Sequence, residues 1–301
     1  MGSAVKAHYA EIGRIPGVPL QPIVRSHGWV CLAPVDPSDG GFMYPLALGS
    51  GETIVLQVAA SKAGIAISTD RRMAARQKRE LRAVAEHMLS LDFPLHEFKV
   101  MCRAKKSTTL LRLANKGWGR MLRSPTFWED AVKTLCTTNA SWGYTEKMCR
   151  NLCALLGEAA PSDTKTFPTP DKILKAGEQC MKEKIGMGYR AKSLLMLARK
   201  AVSGDVPWLL DVSVRPDATT AEQEIASWLG FGPYATKHLL VLMGFHEYLP
   251  IDREVGNHLG IRKPGDKGSD LDSDHFGDWG KFRFTAYKLT RVAKRMNWIG
   301  D

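Results

Sequence analysis

Apolar residues follow a strand-like pattern in the first 70 residues of the chain and recur at helical spacing after them. Residues 53–58 are rich in β-branched side chains, residues 61–64 offer a turn, and residues 65–68 return, which predicts a β-hairpin. Two further strands are predicted at residues 28–33 and 42–48, on either side of a Pro- and Gly-rich cluster. These segments predict an antiparallel sheet of about four strands.

From residue 70 onward the apolar positions have the period of an α-helix. Leu81, Val84, Ala85 and Met88 predict an amphipathic helix over residues 71–91, with Asp70 as its N-cap. Further helices are predicted at residues 93–102, 108–114, 126–137, 145–156, 171–184, 191–203, 220–229, 233–244, 253–259 and 281–296. The expected fold class is α+β, with a small N-terminal antiparallel sheet domain and linking helix at residues 1–90 and a mostly helical body at residues 91–301.

Composition narrows the range of partners. The 301 residues include 42 Lys and Arg against 31 Asp and Glu, a net charge of +11, and 44% of the residues are apolar. The charge favours a polyanionic partner, which is either nucleic acid or an anionic membrane surface. Apolar runs such as residues 239–245 are far shorter than the roughly 20 residues that cross a bilayer, so we expect no membrane span.

Cysteine usage and the N-terminal residues predict the compartment. Six cysteines in 301 residues are too few for a disulfide scaffold. The first residues carry charges and lack the apolar core of a signal peptide. We therefore expect an intracellular protein. A stretch at residues 71–82 holds six basic residues; it is interpreted as a solvated helix face, with a nuclear-import or DNA-contacting stripe as the alternative.

The most informative segment is residues 228–237, which read WLGFGPYATK, followed by an apolar run and then Leu-Pro-Ile-Asp at residues 249–252. Gly230 and Gly232 permit a tight turn, and Pro233 suits the first turn of the helix that follows. Backbone amides at the start of that helix can bind a phosphate without a side chain. The pattern predicts a helix-hairpin-helix at about residues 220–245, followed by a loop at residues 246–252.

These residues resemble the helix-hairpin-helix superfamily of DNA base-excision glycosylases. Gly230, Gly232, Pro250 and Asp252 match the family pattern, in which a Gly-x-Gly hairpin and an apolar helix precede Pro-x-Asp, while a Trp-Leu pair replaces the family's Leu-Pro. The resemblance implies that Asp252 is the catalytic carboxylate. It also implies a monovalent cation, K⁺ or Na⁺, on the backbone carbonyls of Leu229, Phe231 and Pro233.

Two more segments extend the resemblance toward the 8-oxoguanine and 3-methyladenine II branches. Residues 127–139 look like the helix and loop whose Asn enters the gap left by an extruded nucleotide, and residues 185–192 look like the Gly-Tyr-Arg-Ala turn that borders the opposite base. The resemblance implies wedge and opposite-base roles for Tyr189 and Arg190. The residues implied to contact DNA are Gly230, Gly232, Tyr234, Asn139, Tyr189, Arg190 and Lys192.

Three departures from the family pattern affect the expected chemistry. Tyr234 stands where bifunctional members carry the lysine that attacks the sugar, and Lys237 lies three residues farther on. The chain has no Cys after Cys180, so we expect no iron–sulfur cluster. Trp142 and Tyr144 replace residues of the 8-oxoguanine branch. Water is therefore the expected nucleophile, and no cofactor is required.

An aromatic pocket is expected for the extruded base. Its candidates are Phe42, Trp142, Tyr144 and Tyr287, each of which has core packing as the alternative. The expected function is a monofunctional DNA glycosylase of base excision repair that acts on duplex DNA as a monomer, in the nucleus if eukaryotic. A catalytically silent damage-binding protein and a lyase using Lys237 or another amine are the alternatives. The identity of the excised base is left open.

Overall fold

A five-stranded antiparallel sheet is followed by a helical body. The computed structural model describes residues 9–38, 40–260 and 274–297. The strand order in the sheet is β1-β5-β4-β3-β2. The strands are β1 Ala10–Pro16, β2 Asp36–Ser38, β3 Gly41–Ala47, β4 Thr53–Ser61 and β5 Gly64–Thr69, and a two-stranded ribbon follows at β6 Ala159–Ala160 and β7 Thr164–Lys165.

The predicted hairpin corresponds to β4 and β5. Ile65, Ile67 and Thr69 alternate with less buried neighbours, as a strand with one face on the core requires. Gly64 has φ +138°, and a Cβ there would lie 2.1 Å from the carbonyl oxygen of Ile15, so glycine lets β1 lie against β5. Strand β1 was not predicted because Ile15 is its one buried position among seven residues.

The predicted strand at residues 28–33 is wrong. These residues form a single 3₁₀ turn, Gly28–Cys31. His27 Nδ1 accepts a hydrogen bond from the backbone N–H of Trp29 at 3.2 Å, and Trp29 Nε1 donates to Asp130 Oδ1 at 2.7 Å. These local and long-range hydrogen bonds override the strand preference of the apolar run.

Every predicted helix corresponds to an observed one, with ends that differ by a few residues. The helices are α1 Gln21–Val24, α2 Ala75–Met88, α3 Leu95–Ala104, α4 Thr108–Asn115, α5 Phe127–Thr137, α6 Trp142–Leu156, α7 Pro170–Gln179, α8 Arg190–Ser203, α9 Ala218–Ala226, α10 Pro233–Met243, α11 Arg253–Leu259 and α12 Arg283–Arg295. Short 3₁₀ turns lie at Pro207–Leu209 and Gly277–Phe282.

Two observed helix ends differ from the predicted ones. Asp70 does not cap α2, because its carboxylate accepts a hydrogen bond from Val55 N at 2.8 Å and pairs with Arg71. The side chain of Gln77 instead accepts a hydrogen bond from the backbone N–H of Ala74, the N-cap. Helix α7 is followed by a π-helical turn, Cys180–Ile185, which ends at Gly186 with φ +86°.

The sheet and the helical body share one buried core. Ile54, Ile65 and Phe42 of the sheet belong to the same apolar cluster as Ala131 and Leu135 of α5. A second cluster joins α3, α4 and α12. Within the described residues, no helix is long and apolar enough to cross a membrane. The shared core fixes the position of the sheet relative to α5, and α5 leads directly into the candidate site.

A buried ionic group ties the start of α5 to the sheet. Lys133 Nζ lies 2.7 Å from Glu129 Oε1, and the exposed fractions of the two side chains are 0% and 4%. Tyr44 of β3 donates a hydrogen bond to the other oxygen of Glu129. Removing either charge would destabilise the fold, because the other charge would then be buried without a partner of opposite sign.

Candidate active site

A cavity of ≈ 760 Å³ lies between the helix-hairpin-helix and the C-terminal end of α5. Its walls come from four separate segments, namely residues 27–29, residues 137–145, the hairpin region 230–238, and Ile251 with Asp252. Of the residues predicted from the sequence, the cavity brings together Asn139, Trp142, Gly230, Gly232, Tyr234 and Asp252.

Asp252 is both a helix cap and a wall of the cavity. It has extended backbone angles at the N-cap of α11, and its Oδ1 accepts a hydrogen bond from Val255 N at 2.7 Å. The side chain is partly exposed and borders the cavity. The cap and the catalytic interpretation of Asp252 are therefore compatible, because the cap engages one carboxylate oxygen.

The hairpin has the conformation that its two glycines imply. Gly230 has φ +89°, and a Cβ there would lie 2.8 Å from Ser193 Oγ and 3.0 Å from Leu135 Cδ1. Gly232 is the N-cap of α10 and provides no side chain to cap its first turn. The N-terminal end of α10 thus faces outward as backbone, which is the arrangement that binds phosphate.

Tyr234, at the position where the family resemblance places a lysine, lines the cavity and stacks on His238. The two rings lie 5.7 Å apart with an interplanar angle of 13°. Lys237 is partly buried and is not among the residues that line the cavity; no lysine of the described chain is. A basic cleft of ≈ 550 Å³ includes Lys288 and shares His27 and Gly28 with the cavity.

Asn139 and Tyr189 lie side by side at the surface. Asn139 has φ +47°, and its Nδ2 donates to Tyr189 Oη at 3.3 Å. The side chain of Tyr189 is 62% exposed, so its ring projects from the protein. Lys192 on the next helical turn is also exposed. Asn139 lines the cavity, so Asn139 and Tyr189 together present one polar and one aromatic group beside it.

Arg190 occupies a different environment from the one expected of a base-contacting residue. It is 4% exposed, and its Nε donates to the carbonyl oxygen of Thr138 at 3.0 Å. Its guanidinium also lies 4.5 Å from the centre of the Tyr189 ring. In this structure Arg190 joins the loop of Asn139 to the loop of Tyr189.

The four aromatic pocket candidates separate into two pairs. Phe42 and Tyr287 are 0% and 2% exposed in the core, and neither is among the residues lining the cavity. Trp142 lines the cavity and is 42% exposed. Tyr144 is 39% exposed and donates a hydrogen bond to the carbonyl oxygen of Gly186, which holds the loop before Tyr189. Trp142 is therefore the candidate that the fold places at the cavity.

Sequence reasoning missed the wall formed by His27, Gly28, Trp29 and His238. Trp29 lies 4.7 Å from the His27 ring and 5.2 Å from the His238 ring. Burial lowers the pKa of His238 to about 4, with a smaller effect from the positive charge of Lys288. A Cβ on Gly28 would lie 2.2 Å from the Trp142 ring, so this glycine permits the indole to cover it. The only sequence signal was His27 and Trp29 at the start of a predicted strand.

Comparison with known proteins gives one related sequence and several related folds. No protein-family model matches the sequence. An N-glycosylase/DNA lyase of Saccharomyces cerevisiae is 25% identical over 142 residues, which is 42% of this chain and 38% of the yeast protein. The match therefore spans well under half of the length of that relative.

Solved structures match almost the whole chain. The 3-methyladenine DNA-glycosylase of Archaeoglobus fulgidus is 17% identical, with a TM-score of 0.70 over 96% of this chain and 98% of that protein. The 8-oxoguanine glycosylase/lyase of Clostridium acetobutylicum, in complex with double-stranded DNA, is 16% identical, with a TM-score of 0.62 and the same coverage. The chain has the α+β fold of these proteins, as the sequence resemblance implied.

Proposed function

We propose that this protein is a DNA glycosylase that extrudes a damaged or modified base from duplex DNA and hydrolyses its N-glycosidic bond. The observation that carries the proposal is the cavity that brings Asp252, the N-terminal end of α10 and Asn139 together. Its volume of ≈ 760 Å³ lies in the range of small-ligand sites, about 300–1,000 Å³. The names of the structural neighbours and of the yeast relative agree with this activity.

Duplex DNA supplies the groups that the surface of the site can bind. The backbone amides at the start of α10 suit a phosphate of the strand that holds the target base, and the net charge of +11 favours the duplex. Extruding a base costs a few kcal/mol, less when the base is damaged or mispaired. We assign Asn139 and Tyr189, which lie side by side at the cavity, to filling the gap in the stack.

Asp252 is the residue we assign to bond cleavage. Loss of the base builds positive charge on the sugar, and a nearby carboxylate stabilises that charge. Val255 N–H engages Oδ1 of Asp252, and Oδ2 is the oxygen that we assign to the sugar or to water. The carboxylate can also accept a proton from the attacking water.

Water, and not a lysine, is the nucleophile that we propose. Tyr234 occupies the hairpin position of the family lysine and is stacked on His238, and Lys237 lies away from the cavity wall. The expected products are a free base and an intact strand with an abasic site. The yeast relative is named a lyase, so the competing proposal is a covalent imine with a lysine such as Lys237 or Lys288.

One panel of duplexes, each with a single modified base, tests the activity. We expect an alkali-labile abasic site on at least one duplex and no strand break before alkali. Absence of an alkali-labile site on every duplex, with binding retained, would instead support a catalytically silent damage-binding protein. Borohydride trapping separates the two enzymatic mechanisms, because only an imine with a lysine gives a covalent protein–DNA adduct.

We also propose that the hairpin holds a monovalent cation. The carbonyls of Leu229, Phe231 and Pro233 are neutral oxygen donors around a turn that Gly230 makes tight. Divalent cations favour carboxylate oxygens, so a neutral set suits K⁺ or Na⁺ better. Such an ion would add positive charge beside the phosphate-binding end of α10, and no catalytic step depends on it.

A further inference from the structure

The basic cleft shares a wall with the cavity. It has a volume of ≈ 550 Å³, and His27 and Gly28 line both the cleft and the cavity. Its cationic side chains come from two distant parts of the chain and are Arg25, Lys288, Arg291 and Arg295. A concave site of this size admits a small ligand or part of a larger one. Four positive charges around it indicate that the ligand is an anion.

Helix α12 supplies three of these cations from one face. Lys288, Arg291 and Arg295 are three and four residues apart, which is the spacing at which helical side chains are neighbours. Like charges at this spacing repel one another, and an anion in the cleft would offset that repulsion. Lys294 of the same helix is exposed and does not line the cleft, so it provides a natural control.

Local contacts restrict two of the cations before any ligand binds. Arg25 is the C-cap of α1, and its backbone N–H donates to the carbonyl oxygens of Gln21 and Ile23. Arg291 Nη1 donates to Tyr287 Oη at 3.0 Å, and Tyr287 is 2% exposed in the core. A guanidinium has donors in a planar fork that matches the oxygens of a phosphate. A guanidinium that is already held loses less conformational freedom when it binds one.

The positive charge of the cleft extends to the wall that it shares with the cavity. Burial holds the pKa of His27 well below its usual value and lowers the pKa of His238 to about 4. In both residues the positive charge of Lys288 lowers the pKa further. The two rings are therefore neutral at neutral pH and lie in a field that favours an anion nearby.

DNA bound at the cavity would bring several phosphates close to this wall. An extruded nucleotide stays joined to its neighbours through a phosphate on each side, and the start of α10 accounts for one of them. We propose that the basic cleft holds a second backbone phosphate of the strand that carries the extruded nucleotide. This inference rests on the proposed glycosylase function and adds α1 and α12 to the DNA interface.

Paired substitutions test the cleft without a cleavable base. Arg25→Gln/Lys288→Gln removes one charge from each side of the cleft, and Lys62→Gln/Lys294→Gln removes two exposed charges that do not line it. The probe is a duplex with a single tetrahydrofuran abasic analogue, which has no base to release. We expect the first double variant to reduce the slope of log affinity against log salt by about 0.9, the value for one phosphate, and the second to leave it unchanged. Thermal unfolding checks that both variants are folded.

A neutral linkage placed along the strand locates the phosphate. Methylphosphonates replace single phosphates, one duplex at a time, within about three nucleotides of the analogue on either side. At the position held by the cleft, we expect the wild-type affinity to fall about tenfold, because hydrogen bonds to a charged group are lost. The same linkage should have little effect on Arg25→Gln/Lys288→Gln. A linkage at the position held by the start of α10 should weaken both proteins equally.

The outcomes separate this inference from the proposed function. Equal slopes in the two double variants, or methylphosphonate effects that are the same in the wild-type protein and in Arg25→Gln/Lys288→Gln, overturn the second phosphate site whether or not any base is released. Equal slopes together with weaker calorimetric binding of inorganic phosphate by Arg25→Gln/Lys288→Gln would assign the cleft to a free anion and overturn its role in DNA binding. A reduced slope, with no base release from any cleavable duplex, supports the second phosphate site and contradicts the glycosylase.

Discussion

Substitution of Asp252 separates its cap from its proposed catalytic role, because the cap depends on a hydrogen bond and the catalytic role on charge. In Asp252→Asn the side-chain oxygen can still accept the hydrogen bond from Val255 N that caps α11. Asn and Asp are comparable N-caps, so we expect little change in the free energy of unfolding. The negative charge is lost. Two opposite charges about 4 Å apart at an effective dielectric constant near 20 attract by about 4 kcal/mol, which corresponds to about a 10³-fold slower release of the base.

Asp252→Ala removes the cap as well as the charge. Loss of an N-cap costs about 1 kcal/mol, and for a chain of this size that lowers the Tm by about 1–3 °C. Base release should be as slow as in Asp252→Asn. The assay is single-turnover base release at saturating protein, together with thermal unfolding and binding to an uncleaved duplex. Both variants should bind that duplex with an affinity close to that of the wild-type protein.

A matched control lies at the other end of the helix-hairpin-helix. Asp217 caps α9 by accepting a hydrogen bond from Thr220 N at 3.0 Å, and it lies at the end of α9 remote from the hairpin turn. Asp217→Ala should lower the Tm by a similar amount and leave base release unchanged. If Asp252→Asn released the base at the wild-type rate, the assignment of Asp252 as the catalytic carboxylate would be refuted.

Three further outcomes are expected. Lys133→Met should lower the unfolding free energy by about 3–5 kcal/mol, because Glu129 is then buried without its partner. Adding Glu129→Gln should restore most of that loss, and urea unfolding measures both changes. Full stability of Lys133→Met would contradict the mutual dependence of Lys133 and Glu129. Burial lowers the pKa of His87 to about 3 and of His246 to about 3, so their contribution to stability is complete above the unfolded pKa of about 6.5 and is lost as the pH falls toward 3. The Tm should therefore fall as the pH is lowered over that window, and it should fall less steeply in His246→Gln. A constant Tm between pH 7 and 5 would be inconsistent with buried neutral rings. Lys192→Ala should reduce the slope of log affinity for duplex DNA against log salt by about 0.9. Lys62→Ala, at the tip of the β4–β5 hairpin, is the control and should leave the slope unchanged. Equal slopes in the wild-type protein and both variants would show that Lys192 is not in the DNA interface.

The parts of the site that sequence could predict are those whose conformation is set locally. Gly230, Gly232 and Pro233 determine a hairpin and a helix start within a few residues, and the structure places them so. Asp252 follows the same rule, since its cap hydrogen bond with Val255 N spans only three residues. By contrast, the turn at residues 28–31 depends on a hydrogen bond between Trp29 and Asp130, which are 101 residues apart. No local pattern contains that information.

The same distinction explains why the sequence singled out Arg190 as a candidate site residue but did not predict its buried surroundings. Its guanidinium donates to the carbonyl of Thr138, while Tyr144 donates to the carbonyl of Gly186 and Asn139 donates to Tyr189. These three hydrogen bonds run between two loops about 50 residues apart and join them into one unit. A pair of loops already held together loses less conformational freedom when DNA binds than two independent loops would. If the protein acts on duplex DNA as proposed, the buried charge of Arg190 contributes to binding indirectly, because it holds the neighbouring Asn139 and Tyr189 in place.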